Sequence, residues 1–505
     1  MDDLRIRHIL WRLAHAAPHS QITWAHDGQR QAVTQRAVAE ATLRLVEGLR
    51  AIGVTRGSRV VGLGWNSIEY LQCMLAVPVL GATLDNINFR LAGDDIGRLM
   101  AEAPVAAAIV DVELLSTPDL EQTILPIVRK LEADGVTIIV IGSHVAADAA
   151  GWVAFEALTE REPACLEQLP THPETDVAYV FHTGGTTGAP KSFPVSHRRV
   201  LLHALVQGNA NAMGIRSSDR VMPLPQFFHA NAWNMPFVAI LAGADVVLPG
   251  RDTRGAAIAA LLRDAAVTLA GGVPTLWHDI CASVEADPSL RPRHLREIIC
   301  SGSVLEPGLR ARIRDQLGAE PVTGWGMTES MGTGTYQRSS DADDMGRPVP
   351  LLEIRSLVES DDASPRLQIR GPFVLAGDGD WYATGDIAAI GEAEELTLLD
   401  REKDAVKSGG EWISTLRLER ALLDMADVEA AAVVARADDR WGERPIAYVV
   451  MRTGVQLPSA AAVRAHVTNT LPKWWAPDDV IELAGLPLTR LGKPDKAALR
   501  LRDAR

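Results

Sequence analysis

Three features of the sequence predict an α/β fold divided into more than one domain: the chain is long, β-like runs alternate with helix-like ones, and the pattern changes after Asp400. At 505 residues it exceeds what a single hydrophobic core usually organises. From Thr34 to Val110, helix-period segments such as VAEATLRLVEGLRAIG alternate with short β-rich runs such as SRVVGLGW, and AAAIVDV follows as another strand. The alternation continues through ADVVLPG, VTLAGGVP and REIICSG, residues 244–250, 267–274 and 296–302. Each of these runs ends at Gly or Pro, as expected where parallel strands deliver loops to the carboxyl edge of a sheet. After Asp400 come a Gly-Gly turn, an amphipathic helix in TLRLERALLDM, strands in VEAAAVVAR and RPIAYVVMR, and a helix around AAAVRAHVTN. This reads as a small α+β domain of roughly a hundred residues. The expected division is 1–402 and 403–505, with a short hinge at Lys403.

Composition narrows the function. With 47% hydrophobic and 23% charged residues the chain is globular, neither disordered nor fibrous. A formal charge of -14 argues against nucleic acid as the main partner and favours small molecules. Cys73, Cys165, Cys281 and Cys300 stand singly without CxxC spacing, so they read as reduced, mostly buried thiols. The amino-terminal residues have an amphipathic helical pattern and lack the apolar core of a secretion signal, and no apolar run reaches the length that spans a bilayer. A cytoplasmic protein with at most peripheral membrane contact is expected, and a homodimer is compatible with the sequence.

The most informative stretch is AYVFHTGGTTGAPKSFPVSH, residues 178–197, where a β-like run enters a loop of Gly, Thr and one Lys. Glycines let backbone N–H groups turn toward an anion, threonine hydroxyls add donors or a Mg2+ ligand, and Lys191 adds positive charge. A Walker A loop is excluded. Pro190 stands where its second Gly belongs, and Phe193-Pro194 opposes the helix that should follow.

This stretch resembles the phosphate-loop motif of the adenylate-forming superfamily, which includes acyl-CoA synthetases, the adenylation domains of peptide synthetases and firefly luciferase. Thr183, Gly185, Thr186, Thr187, Gly188, Pro190 and Lys191 match the motif. His182 replaces an aromatic residue, Gly184 a hydroxyl residue and Ser192 the terminal Gly. Further stretches match in order. PLPQFFHANAWN (223–234) resembles the segment beside the acyl channel, with His229 and Trp233 as candidates; CSGSVLEP (300–307) resembles the turn bordering adenine, carried by Gly302 and Ser303. GWGMTES (324–330) resembles the segment in which Thr contacts nucleotide phosphate and Glu binds Mg2+. Those roles fall to Thr328 and Glu329, with Trp325 and Gly326 beside the nucleotide.

YATGDIA (382–388) places Asp386 on the ribose hydroxyls, and DREKDAVKSGGEWIS (400–414) resembles the hinge and following glycine loop. Arg401 is expected at ribose or phosphate, Lys403 at the hinge, and Lys407 and Trp412 near nucleotide or coenzyme A. LPLTRLGKPDKAALR (486–500) supplies the catalytic lysine, Lys493.

The resemblance implies a large amino-terminal domain of α/β layers with a β-barrel-like subdomain, and a small mobile α+β carboxyl-terminal domain. It implies a carboxylic acid, ATP and coenzyme A as substrates, with Mg2+ held through Thr183 and Glu329. Nucleotide phosphates would sit among Thr183, Gly184, Gly185, Thr186, Thr187, Gly188 and Lys191. Lys493, Glu329, Thr328 and His229 would serve catalysis. GGEWIS and PKWWAPDDV look most like the medium- and long-chain fatty acyl-CoA synthetases, although GPFVLAGDGDWY before Thr384 is shorter than the usual segment. An aromatic acid remains an alternative, since Trp233, Phe237, Met327 and Met331 suit either pocket. So do transfer to a carrier protein and a non-catalytic nucleotide binder.

Overall fold

A computed structural model describes residues 3–26, 29–142, 151–183, 190–339, 344–359, 362–376, 380–452, 454–488 and 494–503. The chain forms two compact units: Met1–Ala342 with Val349–Leu352 and Gly371–Gly379, and Asp343–Pro348 with Glu353–Arg370 and Asp380–Arg505.

Among the described residues, the first unit contains two seven-stranded sheets of the same design. One runs Glu320–Thr323, Glu297–Cys300, Leu269–Gly272, Arg220–Pro223, Asp245–Leu248, Gln21–His26, Gln29–Thr34. The other runs Val153–Ala154, Thr137–Ile141, Ala107–Asp111, Arg59–Leu63, Thr83–Asn86, Val177–Thr183, Lys191–Ser196. Within each sheet every neighbouring pair is parallel except the last, an antiparallel hairpin at one edge. Strands buried on both faces need no polar alternation, which explains why these segments read as continuous apolar runs.

Helices cover the sheets for local reasons. Gln35–Ala51 starts where the Thr34 hydroxyl accepts from the Ala37 N–H at 3.2 Å, and it buries Val38, Leu45, Val46 and Leu49. Ile68–Val79 is capped by Ser67 and buried at every position but Glu69, as its largely apolar sequence requires. The amino-terminal amphipathic pattern forms a short α-helix, Arg7–Trp11, that continues as a π-helical turn, Arg12–Ala16. Trp277 on Pro274–Ala286 fills the core beneath Met222, Ala270 and Ile298.

In the second unit, the barrel-like element of the expectation takes the form of a four-stranded antiparallel sheet: Glu353–Glu359, Asp362–Arg370, Tyr382–Ile390 and Leu396–Arg401. A five-stranded sheet follows, ordered Glu411–Ile413, Val406–Ser408, Gly442–Met451, Val428–Asp438, with Asp479–Glu482 parallel to Gly442–Met451. Helices Thr415–Leu423 and Ala460–Val467 contribute Leu418, Leu422, Val463 and Val467 to its core. The Thr415 backbone N–H and hydroxyl both donate to the buried Asp400 carboxylate, and Lys496 reaches Thr415 Oγ1 at 2.8 Å and Glu419 at 2.7 Å. The segments before and after Lys403 are thereby bonded.

Among the described residues no helix is long and apolar enough to cross a membrane. All four cysteines are free; Cys73, Cys281 and Cys300 are buried and Cys165 is exposed.

Asp111 closes the strand Ala107–Asp111 inside the first unit. Burial pushes its carboxyl up to about 6 from 3.8, against N–H bonds from Glu113 and Trp65. The folded state therefore binds more protons than the unfolded one between those values, and stability falls as pH rises through that window. Asp111→Asn should raise unfolding stability by roughly 2–3 kcal/mol at pH 7 and by much less at pH 4. Urea denaturation at both pH values checks this.

Candidate active site

The Gly/Thr stretch hangs from an antiparallel rung. Val177–Thr183 pairs with Lys191–Ser196 so that Thr183 faces Lys191 and His182 faces Ser192. Pro194 is tolerated because this return strand lies at the sheet edge. Lys191 is exposed at the loop exit. Gly184, Gly185, Thr186, Thr187 and Gly188 lie outside the described residues, as does Lys493.

The Thr328–Ser330 turn sits between the paired segments Gly326–Met327 and Gly332–Thr333 and packs beside Val177–Thr183. Glu329 is buried there. The Ser330 hydroxyl bonds the Met327 and Gly332 carbonyls at 3.0 and 2.8 Å, which fixes the turn. Two glycines make the arrangement possible. A Cβ at Gly326 would lie 2.0 Å from the Gly332 carbonyl oxygen, and one at Gly332, where φ is 117°, would press against Trp233. The Ser301 hydroxyl donates to the Gly324 carbonyl at 2.9 Å, tying the loop of Gly302 and Ser303 to the start of this segment. Trp325 is buried, and its backbone N–H donates to Thr335 Oγ1.

Beyond His229 the chain adopts an unusual conformation. Ala230, Asn231, Ala232, Trp233 and Asn234 have φ of 46, 53, 55, 57 and 63°, a left-handed turn. Such a conformation costs an L-residue roughly 1–2 kcal/mol, with Asn the most tolerant. Buried hydrogen bonds compensate. Asn66 Nδ2 donates to the Pro223 and Pro225 carbonyls, and its Oδ1 accepts from the Phe227 N–H at 2.8 Å. Asn86 Nδ2 donates to Asn231 Oδ1 at 3.2 Å, while Asn86 Oδ1 accepts from the Tyr70 hydroxyl. Asn234 donates to the Val200 carbonyl and lies 3.2 Å from His203, whose ring also contacts Gln207. Burial pushes His203 down to about 3, so it stays neutral. Trp233, Phe237 and Met331 are buried around this turn, and Met327 is half-buried.

In the second unit Asp386 is almost fully buried and pairs across the sheet with Arg401, Nε to Oδ1 2.8 Å. The two residues assigned separately to the ribose thus face each other. Lys407 and Trp412 are also cross-strand partners, with Nζ 5.3 Å from the ring centre, and the Gly409–Gly410 turn joins their strands. Arg500 donates to the Lys403 carbonyl at 3.0 Å and to Asp404 at 2.7 Å.

The first unit therefore gathers Thr183, Lys191, the Thr328–Glu329 turn and the left-handed turn, while Asp386–Arg401 and Lys407–Trp412 are pairs of the second. Sequence reasoning missed Asn66, Asn86, His203 and Gln207. Only the position of Asn66, just after a strand in SRVVGLGWN, carried a signal. Among the described residues no three His, Cys, Asp or Glu side chains gather as a metal site. One buried carboxylate on a turn packed beside the strand Val177–Thr183 fits an ion that arrives with phosphate ligands and keeps waters.

Removing the Asn66 amide leaves two carbonyls and one N–H without their partner. Asn66→Ala should lower unfolding stability by about 2–4 kcal/mol, measured by chemical denaturation.

The AMP-binding enzyme model matches residues 13–377, and the AMP-binding enzyme C-terminal domain model matches 417–493. A long-chain-fatty-acid–CoA ligase of Thermus thermophilus is 33% identical over 94% of this chain and 91% of its own. A 3-methylmercaptopropionyl-CoA ligase of Ruegeria pomeroyi is 30% identical over 92% and 90%. A solved benzoate CoA ligase from Burkholderia xenovorans shares the fold, with a TM-score of 0.80 at 22% identity over 98% and 99% of the chains. With both domain models matched in order and relatives aligned over nearly the whole length, the chain belongs to the AMP-binding enzyme family, the adenylate-forming superfamily that its motifs resemble.

Proposed function

We propose that this protein is an ATP-dependent acyl-CoA synthetase acting on an apolar carboxylic acid of the fatty-acid type, in the cytoplasm. The observation that carries the reading is the packing of the Thr328–Glu329 turn beside the strand that ends at Thr183, in a member of the AMP-binding enzyme family.

A carboxylate resists nucleophiles because its carbonyl carbon is electron-rich. Attack of its oxygen on the α-phosphorus of ATP releases pyrophosphate and turns that oxygen into part of a good leaving group. A thiol then attacks the acyl carbon of the mixed anhydride, forming the thioester and releasing AMP. The first step needs charge stabilisation rather than a general base. Thr183, Thr328 and Lys191 hold phosphate oxygens, joined by the loop of residues 184–188. Mg2+ supplies positive charge against those oxygens, and Glu329 with Thr183 would hold it. Gly302, Ser303, Trp325 and Gly326 border the adenine. Asp386 accepts from the ribose hydroxyls while Arg401, 2.8 Å away, orients its carboxylate. His229 and Trp233 face the acyl group.

Lys493 serves the first step. Rotation of residues 403–505 about Lys403 then withdraws it and brings the Gly409–Gly410 turn, Lys407 and Trp412 to the thiol. The bonds from Thr415 to Asp400 span that hinge and must break or re-form with each turnover.

Pyrophosphate release from MgATP should occur with one class of acid across an aliphatic and aromatic panel, with acyl-CoA formed only when coenzyme A is present. Release without acyl-CoA points to a carrier-protein acceptor, and no release with any acid removes the reading. Lys493→Ala should suppress adenylate formation yet spare thioester formation from supplied acyl-adenylate; equal loss of both would refute its role. Glu329→Gln should lower kcat for pyrophosphate release by about 100-fold, measured at saturating Mg2+ and ATP.

A further inference from the structure

Two departures from the phosphate-loop motif, His182 and Ser192, occupy directly opposed positions on the rung from which the loop hangs, and their side chains touch. His182 Nδ1 lies 3.1 Å from Ser192 Oγ, and His182 Nε2 lies 2.6 Å from Asp85 Oδ1. The His182 and Asp85 side chains are fully enclosed. Asp85 is gripped by Arg59, Nε at 2.8 Å and Nη2 at 2.6 Å. The Arg59 guanidinium also donates to the Leu99, Met100 and Ala103 carbonyls at the end of helix Gly93–Ala101. Ser192 Oγ donates to Glu102 Oε2 at 2.7 Å, and Glu102 caps that same helix end.

The contacts therefore close a ring: Arg59, Asp85, His182, Ser192, Glu102, and back to Arg59 through one helix terminus. It crosses strands Arg59–Leu63, Thr83–Asn86, Val177–Thr183 and Lys191–Ser196. The Ser192 hydroxyl spends its one proton on Glu102 and so meets His182 Nδ1 as an acceptor; with both imidazole nitrogens engaged, the ring cannot turn without losing two bonds. An aromatic–glycine pair offers no such link. Thr183 and Lys191, the next rung outward, bound the loop directly.

We propose that His182 and Ser192 are positioning residues: this ring sets the spacing and orientation of Thr183 and Lys191, and so the affinity of the loop for the phosphates of MgATP. The inference rests on the reading of this loop as the nucleotide phosphate site.

The ring is tested on the full-length protein with Ser192→Ala, Ser192→Thr, His182→Asn and the double variant His182→Asn/Ser192→Ala. MgATP affinity is measured by calorimetry without an acid present, alongside KM and kcat for ATP and for the acid found active with the parent protein. Ser192→Ala should weaken MgATP binding and raise the ATP KM roughly tenfold, with the acid KM and the rate of thioester formation from supplied acyl-adenylate unchanged. Ser192→Thr should restore ATP affinity. The double variant should bind MgATP no more weakly than His182→Asn alone, as members of one network do. Unchanged ATP affinity in Ser192→Ala, or a parallel loss in every parameter together with a lowered melting temperature, would overturn the inference. A parent protein that binds MgATP but releases no pyrophosphate would count against the synthetase reading and leave the positioning role standing on the calorimetry.

Discussion

Every loop that leaves a buried parallel strand loses its hydrogen-bond ladder at the point where it enters the site, and its peptide groups must still be satisfied. The first unit meets that constraint with side chains borrowed from other strands. Asn66, just beyond Arg59–Leu63, satisfies three peptide groups of the segment that follows Arg220–Pro223. Asn86, at the end of Thr83–Asn86, holds the left-handed turn, and Ser301 holds the start of the Thr328–Glu329 segment. The two asparagines fix loops of one sheet from strands of the other, while Ser301 ties together the loops of two neighbouring strands in the same sheet. The precision of the site derives from these crossings rather than from the loops' own sequence.

Charge follows a similar logic. Asp386 with Arg401, Asp219 with Arg296, and Glu419 with Lys496 each place an acid beside a cation. Where burial dominates it shows: Asp400 and Glu419 are both raised, first by burial and then with Lys496 opposing. A buried pair contributes little net stability, yet breaking it leaves one charge uncompensated. Such pairs fix orientation. Asp386 can present a lone pair in one direction because Arg401 occupies the other side.

The regular elements were legible because their burial dictates their sequence. SRVVGLGW, AAAIVDV, ADVVLPG and REIICSG each contain the strand expected, and all but the last two residues of VAEATLRLVEGLRAIG lie within a single helix. Pro194 against a following helix correctly excluded a Walker loop, since the return segment is an edge strand. What stayed hidden depends on partners distant in sequence. Nothing in PLPQFFHANAWN announces five left-handed residues, because that conformation is held by partners elsewhere in the chain, Asn86 on Asn231 and the Val200 carbonyl on Asn234. His203 and Gln207 read as ordinary helix positions. The pairing of His182 with Ser192 was invisible for the same reason: each looked like an isolated mismatch until the register set them face to face.

The left-handed turn also limits how this protein can diversify. Residues 230–234 occupy a backbone region that branched side chains enter only at high cost, so single substitutions to Val, Ile or Thr there are closed to selection by stability alone. Gly326, where a Cβ would lie 2.0 Å from the Gly332 carbonyl oxygen, is closed for a different reason, lack of space against backbone. Change beside the turn is then channelled to helix Met235–Ala242, where a new side chain does not ask the backbone to leave its minimum. A lineage descended from this sequence should keep its turn and rewrite its helix.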